Sequence, residues 1–230
     1  MNLQPVRIDP NGRFAPVGVE RNRVLRNTYA LLALSMVPTV LGAWLGVATG
    51  LFRAMGPMGG LLFFAISIGF MFVIGKKRNS AAAVPLLLGF TFFMGLMLSG
   101  LVGAVLGLHN GAGLVMLAFS GTAAVFLGMA ALSSVIKRDL SSMGKFLFIG
   151  MIMLVVAGLA NLFIQSSALM ITISVISIGI FSAFVLHDLK RVQDGEETNY
   201  VMATLGVYLS LINVFQSLLM LLGIFGGRDD

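Results

Sequence analysis

The chain has 230 residues, 58% of them hydrophobic and only 10% charged, against roughly 25% charged in an ordinary soluble domain. Its net charge of +6 lies in short groups beside apolar segments, with no aromatic-interleaved basic domain, so nucleic acid is not an expected partner. Cysteine is absent, which excludes disulfides, thiolate zinc sites, iron–sulfur clusters and cysteine nucleophiles.

Residues 1–27 are polar, hold Pro5, Pro10 and Pro16, and are too poor in apolar side chains to fold alone. The first apolar run begins at Thr28 and is too long for the core of a cleaved leader. The expected organisation is therefore a cytoplasmic polar tail over 1–27 and one transmembrane domain over 28–230. Apolar runs of about 17 to 25 residues, the length that crosses a hydrocarbon core of about 30 Å, follow one another from there. We place spans at Thr28 to Leu51, Gly59 to Gly75, Ala81 to Leu106, Gly111 to Ile136, Gly144 to Ile164, Leu169 to Leu186 and Tyr200 to Phe225. The fold class is all-α, a seven-span bundle. Only a short turn around Leu108, His109 and Asn110 separates the third span from the fourth.

Lysine and arginine fix the expected orientation. Thirteen of the fifteen fall on one side: five arginines in the tail, Lys76, Lys77 and Arg78, then Lys137, Arg138 and Lys145, then Lys190 and Arg191 in the last loop. Arg53 and Arg228 fall on the other. The positive-inside rule then puts the N-terminus in the cytoplasm and the C-terminus outside. Small residues recur every four positions at Gly42, Gly46 and Gly50, and at Gly95, Ser99, Gly103 and Gly107, a pattern that lets helix backbones approach closely.

Chemistry is tested by looking for indispensable groups. The last span has no lysine for a retinal Schiff base, and the two histidines, His109 and His187, fall at opposite faces of the membrane. That separation denies a serine nucleophile its base and excludes a two-histidine metal site. No Walker loop, GxGD pair or HExxH run is present. The expectation is a non-enzyme with no catalytic residue, no metal and no cofactor.

Two polar features remain. Ser174, Ser177, Phe181, Phe184 and Asp188 share one face of the sixth span at helical spacing. Asp188 is either a solvated loop acid beside Lys190 and Arg191 or the head of a polar path into the bundle. In the last span Gly206, Ser210, Asn213 and Ser217 form a second stripe. It serves either as interhelical glue or as part of a wet cavity.

Six runs, in order, resemble the Bax inhibitor-1 family, and most closely its bacterial YccA-like branch. They are Arg23-Val24-Leu25-Arg26-Asn27-Thr28-Tyr29, Gly121-Thr122-Ala123-Ala124-Val125-Phe126, Arg138-Asp139-Leu140-Ser141, Ala160-Asn161-Leu162-Phe163-Ile164-Gln165, Gly195-Glu196-Glu197-Thr198-Asn199-Tyr200, and Tyr208-Leu209-Ser210-Leu211-Ile212-Asn213-Val214-Phe215. The resemblance implies a seven-helix bundle with the last helix central, in a bacterial inner membrane. Some family members are described as pH-sensitive calcium leak channels, latched by paired carboxylates and a nearby base. The YccA-like branch is associated instead with modulation of a membrane-anchored, ATP-dependent AAA-type protease of the FtsH kind. Carried over, the first carboxylate falls on Asp188, the second on Ser210, and the base on Lys76 or Lys77, with Asn213 beside them on the last helix. Serine cannot ionise, so the coupled titration that a carboxylate pair provides is missing. The resemblance therefore favours a non-enzymatic protease modulator, with a calcium or proton leak pathway as the alternative and membrane lipid as the other partner.

Overall fold

The computed structural model describes the backbone of residues 6–8 and 14–226, and side chains from residue 22 onward apart from 52–58 and 227–230. The expected placement of Arg53 and Arg228, and of Arg7, Arg13 and Arg21, lies outside the described side chains.

Seven helices follow a short ribbon: β1 (Val6–Ile8), β2 (Phe14–Pro16), α1 (Val17–Thr49), α2 (Leu51–Lys77), α3 (Ala83–Leu106), α4 (Gly111–Val135), α5 (Met143–Ile164), α6 (Ser167–Asp194) and α7 (Tyr200–Gly226). The segment expected as an unfolded tail thus carries an antiparallel pair, with Arg7 opposite Ala15, and the first turns of α1. Val6 and Ile8 alternate with Arg7 there, a period-two pattern too short to register in a 19-residue hydropathy window. Each of the seven helices contains a stretch long and apolar enough to cross a membrane. The third and fourth spans are separate helices.

The largest departure from the expected boundaries is at α6. Hydropathy ends the span at Leu186, but the helix runs on to Asp194, so Lys190 and Arg191 stand in its last turns and not in a loop. Lys190 and Asp194 are one turn apart and joined at 2.6 Å, which lets the helix continue after its apolar residues end. Gly195 stops it. Its φ of 80° lies in the left-handed region, and its N–H returns to the carbonyls of Arg191 and Val192.

The bundle has its exterior in lipid. Phe163 is 88% exposed and Phe146 75%, which water would penalise and hydrocarbon does not. The interior is built around α7. Val201, Leu205, Val207, Tyr208, Leu211, Ile212, Val214 and Leu219 are all buried, and α7 packs on α1, α3, α4 and α6. Tyr208 is the hub: fully buried, it meets the Thr39 hydroxyl at 2.9 Å and donates to the Thr91 carbonyl at 3.3 Å. Thr204 reaches the Thr28 carbonyl at 3.3 Å. The last helix is central.

The tightest seam joins α1 to α3. A Cβ on Gly42 would collide with the Phe92 carbonyl oxygen, and one on Gly95 with the Thr39 carbonyl oxygen. The two backbones touch directly, as the four-residue spacing of small residues implies.

Candidate functional site

The two polar stripes face each other. The upper part of α6 presents Ser174, Ser177 and Phe181 to a cavity of about 410 Å³ whose opposite wall carries Asn213, Gln216 and Ser217 of α7. Asn161 of α5 completes the polar part of the lining, and Met97, Met151, Met170 and Met220 supply much of the rest. A hydroxyl or amide in a span has one recurrent solution. In a medium without water, it bonds a carbonyl of its own helix. Ser174 donates to Met170 at 2.9 Å, and Asn213 donates through Nδ2 to Leu209 at 2.7 Å. Asn213 is therefore not the interhelical bond that the glue reading of the stripe expects. Tyr208 and Thr204 make those bonds, and Asn213 belongs to the cavity wall.

Asp188 lies below this cavity, at the end of the bundle where the described basic residues collect. It is inside α6, with its side chain 19% exposed. Its Oδ1 is 3.3 Å from Nδ1 of His187, and its Oδ2 would stand 2.7 Å from a Cβ placed on Gly206. The carboxylate is thus pressed onto the α7 backbone one turn before Ser210. The His187 ring is buried and packs on the start of α5, with Nε2 2.8 Å from where a Gly144 Cβ would be. The loop acid of the first alternative is excluded by this placement, and Asp188 heads the α6 stripe.

The structure brings together only part of the carried-over set. Ser210 is buried on α7, and α7 has no acidic residue, so no second carboxylate faces Asp188 from that helix. Lys76 and Lys77 close the last turn of α2, are exposed, and make no ion pair with Asp188. The helix that carries them packs on α3 and α1. Sequence reasoning passed over His187 as a partner of Asp188 because it weighed the histidines only as catalytic bases or metal ligands. Among the described residues no group of three or more His, Cys, Asp or Glu is arranged to hold a metal ion.

The loops at this end are cross-braced. Asn199 caps α7, accepting through Oδ1 from the N–H groups of Val201 and Met202 at 3.0 Å, while Nδ2 donates to the Arg78 carbonyl at 3.0 Å and to Asn79 Oδ1 at 2.9 Å. Gln193 of α6 donates to Ser133 of α4 at 2.8 Å. Between α4 and α5 the Ser141 N–H donates to Asp139 Oδ1 at 2.8 Å. That bond, helped by the Ser141 hydroxyl and distantly by Lys190, holds the Asp139 carboxyl below its usual value of 3.8.

The six family-like runs coincide with these joints. Tyr29 of the first and Phe126 of the second meet edge to face at 5.9 Å. The Asp139 turn is the third. In the fourth, Asn161 Oδ1 accepts from the Ser166 N–H at 3.0 Å and shapes the turn into α6. Gly195 and Asn199 end α6 and start α7, and Tyr208 is the central hub.

The family profile described as "Inhibitor of apoptosis-promoting Bax1" matches residues 21–227. A protein of Vibrio cholerae named only as an uncharacterised membrane protein is 37% identical over 212 residues, covering 92% of this chain and 93% of its own length. The Escherichia coli K12 protein named "Modulator of FtsH protease YccA" is 34% identical over 212 residues, covering 90% of this chain and 92% of its own length. Its counterpart in Escherichia coli O6:H1, named "Inner membrane protein YccA", matches to the same extent. This seven-helix membrane protein belongs to the Bax inhibitor-1 family and is similar along nearly its whole length to the YccA proteins.

Proposed function

We propose that this protein is a non-enzymatic regulator that binds a membrane-anchored, ATP-dependent protease of the FtsH type and modulates its action on membrane proteins. One observation carries the reading: the similarity to a relative named as a modulator of FtsH protease extends over 90% of the chain. The lack of a second carboxylate on α7 facing Asp188 supports it, because a latch of two carboxylates that share protons needs an acid where this chain has Ser210. The protein sits in the inner membrane with its basic end and N-terminus in the cytoplasm, the side on which thirteen of its fifteen lysines and arginines fall.

Affinity purification in mild detergent from native membranes tests the partner. An AAA-type protease should co-purify, and loss of the protein should change the turnover of a membrane substrate; a preparation with no protease enriched would overturn the reading. Orientation is tested with single cysteines introduced into the cysteine-free chain. A cysteine in place of His109 should label only from outside, and labelling from the cytoplasm would reverse the bundle.

The polar cavity between α5, α6 and α7 favours a second reading, a calcium or proton leak. In liposomes the unmodified protein should show little calcium flux that switches between about pH 6 and about pH 8, while Ser210→Asp should create a switch and Asp188→Asn should remove it again. Strong pH-switched flux in the unmodified protein, lost in Asp188→Asn, would put the leak pathway first.

A further inference from the structure

The two facing stripes differ between the cavity and Asp188. On α7 the small residues Ser217, Asn213, Ser210 and Gly206 follow one another without a break. On α6 the same face reads Ser174, Ser177, Phe181, Phe184, Asp188, so two aromatic side chains three residues apart interrupt it. Phe181 is the last α6 residue in the cavity wall, and the lining includes none of Phe184, Ser210 and Asp188. The step from Phe181 to Asp188 is seven residues, about 10 Å at about 1.5 Å per residue. Phe184 is the one side chain that this face offers in between.

Polar space lies on both sides of the two rings. The cavity of about 410 Å³ is many times the share of one water molecule, about 30 Å³. Ser177, Gln216 and Ser217 line it and make no hydrogen bond to a described residue. No buried polar side-chain atom among the described residues is left without a partner, so these groups open onto the cavity, where water satisfies them. Asp188 is 19% exposed without lining the cavity, and its solvent is that of the basic end. The rings of Phe181 and Phe184 stand between, with centroids 6.1 Å apart and planes 30° apart. An apolar constriction between two wet spaces sheds its water, which is one way a pore is held shut.

We propose that Phe181 and Phe184 form an apolar plug that parts the cavity between α5, α6 and α7 from Ser210 and Asp188. The inference deepens the leak reading, and rests on it in taking the cavity as one half of a path through the bundle. It says where that path is closed: by two side chains of α6, ahead of the carboxylate.

Single cysteines in the otherwise cysteine-free chain test this through their rate of labelling by a charged, water-soluble methanethiosulfonate, with the full chain in detergent. Ser217→Cys, on the cavity wall, should label readily, and Ser210→Cys, beyond the rings, slowly. Phe181→Ala and Phe184→Ala should each speed the labelling of Ser210→Cys about tenfold or more, because truncation removes the local opening that a buried site requires. Leu189→Ala, a truncation at a fully buried position on another face of α6, should not. Thr204→Cys, buried on α7 against the Thr28 carbonyl, should stay unlabelled throughout, which separates an opened path from an unfolded helix. Unchanged labelling of Ser210→Cys in whichever phenylalanine variants fold would overturn the proposal, as would an equal gain from Leu189→Ala. A Ser217→Cys chain that fails to label would overturn it too, because the cavity would then be dry. Ion flux in liposomes is scored apart: a variant that exposes position 210 to the reagent yet conducts neither calcium nor protons upholds the plug and sinks the leak reading.

Discussion

The α1–α3 seam and the α6–α7 face are both helix contacts within one bilayer, and they are built on opposite terms. At the seam, Gly42 and Gly95 let the two backbones touch and Gly46 takes in the Ser99 side chain, so dispersion does the holding and little space is left. Along α6 and α7 small polar side chains stand apart across a cavity, Ser174 and Asn213 bond to their own helices, and one carboxylate is left pressed on a glycine at the end. A contact that has no slack is a support. A contact with room, polar lining and a charge at its mouth is where a membrane protein changes or binds something.

Breaking the support should give the largest effect. Gly42→Leu drives a branched side chain into the Phe92 carbonyl and should cost about 3 kcal/mol or abolish the folded bundle altogether, read as thermal stability in detergent. A tolerated leucine would mean that the seam has slack after all. Gly206→Ala strikes the polar face, since its Cβ would lie 2.7 Å from Asp188 Oδ2. It should destabilise by about 1 to 2 kcal/mol, and Asp188→Ala should relieve most of that in a double-mutant cycle. Additive effects would separate the two residues.

This second contact tests what the sequence could convey. Helix count, the seam and the two stripes are legible because each is periodic, and a period needs only one strand of information. The pairing of Asp188 with Gly206, and the distance of Lys76 and Lys77 from it, depend on how helices far apart in sequence are arranged around α7. Hydropathy misplaces the end of α6 for a related reason: it detects the edge of the apolar core at Leu186, whereas the helix ends eight residues later at Asp194, stopped by the backbone geometry of Gly195. Asn161 and Asn199 stand in the family-like runs, but their work as turn braces is visible only once the loops have a shape.

Tyr208→Phe sharpens the contrast at smaller scale. It removes the hydroxyl shared by Thr39 and the Thr91 carbonyl, while Thr39 keeps its bond to the Ser35 carbonyl at 2.8 Å. The cost should be about 1 kcal/mol, because no buried donor is stranded. The smallest effect belongs to Asp139, outside the spans. Its carboxyl is held below its usual value, so whatever it contributes is present at neutral pH and lost as the pH falls through the lowered value. Asp139→Asn should therefore leave stability unchanged in strong acid and lower it slightly at neutral pH, and a larger loss in acid than at neutrality would contradict the assignment.

The central place of α7 sets a problem of timing. The ribosome makes this helix after α1 to α6, yet Tyr208 and Thr204 bind groups on α1 and α3 that entered the membrane long before. A chain grows at about 5 to 20 residues per second, so the first six helices wait through the synthesis of α7 with their keystone position open. Thr39 and Thr91 bridge that wait by bonding carbonyls of their own helices. The bundle core then closes with the insertion of one rod into a prepared slot, and quality control of this protein becomes a question of whether the 27 residues of α7 arrived.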